Sequence, residues 1–202
     1  KNFSQSLPKL GNSAFAGYPR VYAIAVELLT HSDCFLGIEN LSAFLSSYQK
    51  VDYLTIGELW ALPIMLRLAL IENLKRVAVG ISADRFKADM AEFWVNKLYQ
   101  KSEENPRDLV MVIADMAKSK PPLNSAFVAE FSRRLQWKGP SLNLALNWIE
   151  QNLSENGESV SSMVLSENQK KVADQVSMSN SITSLRFLSK IDWREFVETL
   201  SI

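Results

Sequence analysis

The chain has 202 residues, and its 22 basic side chains equal its 22 acidic ones, so no net field draws it to nucleic acid or to an anionic membrane. The basic doublets, Arg133 with Arg134 and Lys170 with Lys171, are too small to form a patch. An apolar fraction of 47% supports a packed core and excludes disorder, while a single cysteine, Cys34, and a single histidine, His31, exclude an internal disulfide and a His-rich metal site.

The opening residues KNFSQSLPKL contain no apolar core of signal-peptide length. The chain starts without Met and stops inside a helical pattern, so a fragment of a longer protein is expected. Pro19 opens a first helix with Val21, Ile24, Ala25 and Leu28 at helical spacing. Gly37 precedes a second, with Ile38, Leu41, Phe44, Leu45 and Tyr48 on one face. In a third, Thr55 and Glu58 have the spacing of a capping box, and the pattern runs to Val79 and is stopped by Gly80. Residues 59–74 of it are too short for a bilayer span and include Arg67 and Glu72, each costing about 2.5–3.5 kcal/mol at a membrane helix centre. No direct membrane span is predicted, and this helix reads as the most buried element.

Ser82 caps a fourth helix with Phe86, Met90, Phe93, Trp94 and Leu98. Asn105 and Pro106 open a fifth with Leu109, Val112, Ile113 and Met116 inward, and a sixth presents Phe127, Val128, Phe131 and Leu135. KGPS opens a seventh, closed near Asn156 and Gly157. The eighth covers residues 159–189 with a thin apolar stripe, which predicts a helix that is solvated or bound to something outside the domain. Asp192 and Glu195 cap a ninth. No segment alternates as a strand. The pattern predicts an all-α fold of about nine helices, packed as antiparallel helical hairpins in an irregular bundle, one domain over 1–202.

Motifs for chemistry are absent. His31 and Cys34, three apart beside Asp33, are the local nucleophile candidate, but an imidazole at a helix end more simply meets the last carbonyls. There is no Asp-x-Asp metal motif and no Gly-rich phosphate loop, so the sequence predicts neither a metal site nor a cofactor and names no catalytic residue. Of the tryptophans, Trp94 and Trp148 sit on apolar stripes, and Trp137 before Gly139 is left open as a sugar-facing side chain. Arg67, alone in an apolar run, must be paired or reach water. Glu27, the one charge in the first helix's apolar run, is the expected partner across two helices; the alternative is that Arg67 extends to the surface along its aliphatic stem. Pro63 predicts a kink or break in the third helix.

The blocks LPKL with GYPRVYAIAVELLTHSD, then GELWALPIMLRLALIENLKR, then NSITSLRFLSKIDWREFVETLS, resemble in this order the amino-terminal soluble region of bacterial cyclic β-1,2-glucan synthases. The resemblance implies a very large inner-membrane enzyme that polymerises glucose from UDP-glucose, cyclises the product and trims it by phosphorolysis, through domains further along the polypeptide. This chain resembles the helical portion before them, on the cytoplasmic face. Two roles follow as expectations. One is a non-catalytic scaffold or regulatory region whose partners are the remaining domains of the same polypeptide, with Asn180, Arg186 and Trp193 as the docking surface together with Trp137. The other is a glucan- or nucleotide-sugar-binding module, for which a concave row of solvent-facing aromatics is the expected sign.

Overall fold

A computed structural model describes residues 7–11, 14–136 and 139–200. Among these residues all regular structure is helical, apart from an isolated bridge between Lys9 and Pro19. Eight α-helices follow in chain order: α1 (Arg20–His31), α2 (Ile38–Gln49), α3 (Ile56–Glu104), α4 (Leu109–Ser119), α5 (Ser125–Leu135), α6 (Asn143–Ser154), α7 (Val160–Leu188) and α8 (Trp193–Leu200). Single 3-10 turns, Pro106–Asp108 and Pro140–Leu142, lead into α4 and α6.

The count differs from nine because the third and fourth expected helices are one, α3, with 49 residues. Gly80 does not end it. A glycine stops a helix by taking a left-handed conformation, and Gly80 has none. Pro63 also lies inside α3 without breaking it. Proline removes one backbone donor, while the Thr55–Glu58 capping box secures the start of the helix and Leu59, Leu62 and Leu66 around Pro63 are buried.

The chain divides into two compact units, each built around its own apolar cluster. Unit 1 comprises Lys1–Val77 with Asp174–Ile202. Its core joins Leu28 and Val21 of α1, Leu41 and Leu45 of α2, Leu59, Leu62, Leu66 and Leu70 of α3, Leu188 of α7, and Phe196 and Val197 of α8. Buried Gln49 also donates to the Leu200 carbonyl at 2.9 Å, linking α2 to α8.

Unit 2 is Ala78–Ala173. Val95 and Leu98 of α3 pack with Val112 and Met116 of α4, the stacked rings of Phe127 and Phe131 on α5, and Ile149 and Leu153 of α6. Asn105 and Asn124 cap the segments that follow them by accepting from the Arg107 and Phe127 amides. Phe86 and Phe93 of α3 are solvent-exposed, while Trp94 and Leu98 are buried.

Candidate functional site

The last carbonyl of α7, that of the fully buried Leu188, receives two side-chain donors in unit 1. Arg67 Nη2 lies 2.9 Å from it and Trp193 Nε1 lies 3.0 Å from it. Helix C-termini leave carbonyls without intrahelical donors and carry negative partial charge, so a guanidinium and an indole N–H suit this position. The expected pairing of Arg67 with Glu27 is replaced by two separate contacts. Glu27 is exposed and meets His31 Nε2 at 3.0 Å, one turn along α1. Arg67 thus joins α3 to the end of α7, and a backbone acceptor takes the place of the carboxylate. His31 is held by that contact, and the Cys34 thiol is buried, so the two form no nucleophilic pair.

The polar character of α7 has a packing reason that its thin apolar stripe concealed. Asn73 of α3 donates to Ser177 Oγ and Ser181 Oγ at 2.9 and 3.0 Å. One turn on, buried Ser184 donates to the Cys34 carbonyl at 2.7 Å and accepts from the Leu36 amide at 2.8 Å. Asn180, expected on a docking surface, donates to the Asp33 carbonyl at 3.0 Å. Asp33 and Cys34 both have positive φ, 48° and 61°, a costly conformation for residues with a Cβ. Asn180 and Ser184 clamp that turn onto α7. In unit 2, Glu167 is likewise buried and accepts from Ser125 Oγ at 2.9 Å. Arg186 is exposed on α7, Trp193 is partly buried against the unit 1 core, and Trp137 lies outside the described residues.

Glu58 is the most deeply buried carboxylate described, with 0% exposure. It accepts from Arg20 Nε at 2.9 Å and Nη2 at 2.8 Å, and from the Thr55 amide and hydroxyl, each at 2.9 Å. Arg20 also reaches Asp52 and the Tyr53 carbonyl. Burial raises the Glu58 carboxyl, but the Arg20 and Thr55 donors outweigh it and hold it below the usual carboxylate range. The capping box was legible in the sequence. Its bidentate arginine, 38 residues earlier, was not, because spacing carries no signal for it.

Among the described residues of unit 1, two surfaces stand out. On α3, Ile56, Trp60, Ile64, Leu68 and Ile71 recur every three or four residues and are all exposed, Ile64 at 59% and Trp60 at 45%. The helix expected to be the most buried buries one face, through Leu59, Leu62, Leu66 and Leu70, and shows this second apolar stripe to solvent. A helix apolar on all sides signals such a face as well as a central position. Beside Trp193, a cleft of about 460 Å³ lies between α2 and α8, lined by Ile38, Phe187, Ile191 and Phe196, with Lys190 and Glu195 at its margin.

Unit 2 has its own cavity of about 400 Å³. Phe86, Asp89, Met90, Phe93 and Trp94 of α3 and Ser119 of α4 line it. Phe86 is 67% exposed and Phe93 59%, and the Phe93 ring meets the Trp94 ring edge-on with centroids 5.3 Å apart. Among the described residues no group of His, Cys, Asp or Glu side chains is arranged to hold a metal ion, and no helix is long and apolar enough to cross a membrane.

No family model matches the chain. It is 30% identical over all of its 202 residues to the cyclic beta-(1,2)-glucan synthase NdvB of Rhizobium meliloti (strain 1021). The match covers 100% of this chain and 7% of that protein's length. From end to end, therefore, the chain corresponds to a segment of a cyclic β-(1,2)-glucan synthase, the family that its sequence blocks resemble.

Proposed function

We propose that the chain is a non-catalytic helical scaffold or regulatory region of a cyclic β-(1,2)-glucan synthase. In this reading it lies amino-terminal to the catalytic domains, on the cytoplasmic face of the inner membrane, and docks on the rest of the same polypeptide. The observation that carries the proposal is the α3 stripe, Ile56, Trp60, Ile64, Leu68 and Ile71. It is a row of large apolar side chains in water on a helix whose opposite face is fully packed. Knob spacing of three and four residues suits a helical partner. The pairing of successive α3 positions, Arg67 and Asn73, with successively earlier α7 positions, Leu188 and then Ser177 with Ser181, supports antiparallel helical packing.

The test is co-expression of this chain with a synthase lacking the corresponding segment. Co-purification that is lost on combining Ile64→Glu with Leu68→Glu, while the variant keeps its circular dichroism, supports docking through the stripe. Failure of the native chain to co-purify overturns the scaffold role. UDP release from UDP-glucose by the purified chain, abolished by a point change within it, overturns the non-catalytic part.

The unit 2 cavity favours a second reading, a sugar-binding module that serves the synthase. Its exposed rings, Phe86 and Phe93, are solvent-facing aromatics of the kind such a module uses.

A further inference from the structure

We propose that Phe86, Met90 and Phe93 of α3, with Asp89 beside them, form a binding platform for a neutral pyranose chain; the proposal rests on the sugar-binding reading above. Phe86 and Phe93 are two helical turns apart, which sets them about 10 Å apart along the axis, with Met90 between them on the same face. They form an exposed ridge of two aromatic rings with a thioether between them. Pyranose rings present patches of C–H bonds whose hydrogens are electropositive, and aromatic faces are electronegative, so the two stack. A chain of linked sugars laid along the helix meets both rings at once.

The polar groups narrow the ligand further. Asp89 is exposed, and among the described residues no hydrogen bond or ion pair engages its carboxylate. Among the described residues it is the single ionisable group lining the cavity, where it accepts hydroxyl hydrogens and repels phosphate. A nucleotide sugar is therefore disfavoured, and a neutral glycan is favoured. An apolar helix docked on the same ridge would bury the Asp89 carboxylate without a partner, a cost that a hydroxyl-bearing ligand avoids. Across the cavity, Ser119 Oγ donates to the Met116 carbonyl and keeps its lone pairs free to accept. The volume, about 400 Å³, falls in the range of small-ligand sites. Trp94 lines the cavity and reports on occupancy through its own fluorescence.

The experiment titrates the 202-residue chain with linear β-(1,2)-gluco-oligosaccharides and, separately, with UDP-glucose, following calorimetric heat and tryptophan emission. Saturable oligosaccharide binding is expected, weakened roughly tenfold or more by Phe86→Ala or Phe93→Ala, and several-fold by Asp89→Asn. All three side chains are solvent-facing, so the variants should keep native circular dichroism. Binding that none of the three alters overturns the platform and leaves the sugar-binding reading standing. No binding at about 10 mM sugar overturns both. UDP-glucose binding that Phe86→Ala removes overturns the neutral-ligand assignment. Self-association of the chain that Phe86→Ala abolishes overturns the platform in favour of a protein contact.

Discussion

Arg67 and Trp193 donate to one and the same oxygen, the Leu188 carbonyl at the end of α7, from 2.9 and 3.0 Å. One donor comes from the N-terminal third of α3, the other from the first turn of α8, so a single backbone acceptor fixes where three helices meet in unit 1. Arg67→Met should cost about 1–2 kcal/mol, the range for a charged hydrogen bond at a helix C-terminus, whereas Glu27→Gln should change stability by less than about 0.5 kcal/mol. Trp193→Phe removes the second donor. The double variant leaves a buried carbonyl with neither side-chain donor, so its loss should exceed the sum of the two single losses by about 0.5–1.5 kcal/mol. Urea melts on the four proteins measure this. Additivity within about 0.3 kcal/mol would mean that the two donors act independently.

Glu58 gives the fold a pH dependence of definite sign. Its carboxyl is held below the ordinary value by Arg20 and Thr55 despite burial. A group whose folded pKa is depressed contributes stability that is fully present above its unfolded value, about 4.3, and is lost as pH falls through the folded value. Glu58→Gln should therefore cost about 3 kcal/mol at neutral pH, because it breaks a buried bidentate pair. The gap between variant and native protein should close as the pH is lowered below about 4. A gap of constant size from neutral pH to about pH 3 would show that Glu58 contributes shape rather than charge.

Local signals proved the most legible. Prolines, caps and apolar spacing located α1, α2, α4, α5, α6 and α8, and their inward residues, such as Val112, Met116, Phe127 and Phe131, are buried. The contacts that position the surfaces were not legible, because they join residues far apart in the chain. Nothing in the periodicity of α1 points from Arg20 to Glu58, and Arg67 looked for a charge when a backbone oxygen 121 residues away satisfied it. The thin stripe of α7 read as a helix solvated or bound outside the domain, but a seam of Ser177, Ser181 and Ser184 forms hydrogen bonds within unit 1. Hydrophobic periodicity has no term for such a seam.

The two faces of α3 in unit 1 should respond to truncation in opposite ways. Leu66 and Leu70 are fully buried, so Leu66→Ala or Leu70→Ala should cost about 2–5 kcal/mol. Ile64→Ser and Ile71→Ser remove side chains that stand in water and should shift stability by about 0.5 kcal/mol or less. Denaturant midpoints separate the two classes. A loss above about 2 kcal/mol at Ile64 would mean that the stripe is already covered within the chain, and the docking proposal would lose its surface.

Gly80 offers a direct measurement of whether α3 runs unbroken. At a helix stop a glycine adopts positive φ, and alanine there strains the backbone, so Gly→Ala destabilises. Inside a helix the sign reverses, because alanine restricts the unfolded chain and has the highest helix propensity, a difference of about 0.5–1 kcal/mol in its favour. In α3 a Cβ added at Gly80 meets no atom within 4 Å, so no steric cost offsets that gain. Gly80→Ala should therefore stabilise the protein by about 0.5–1 kcal/mol. Lys120 supplies the opposite control. It ends α4 at a φ of 49°, where a side chain is strained, and Lys120→Gly should stabilise by a similar amount. Paired urea melts read both signs. A destabilised Gly80→Ala protein would restore the two-helix reading of residues 55–98, with Gly80 as the stop between them.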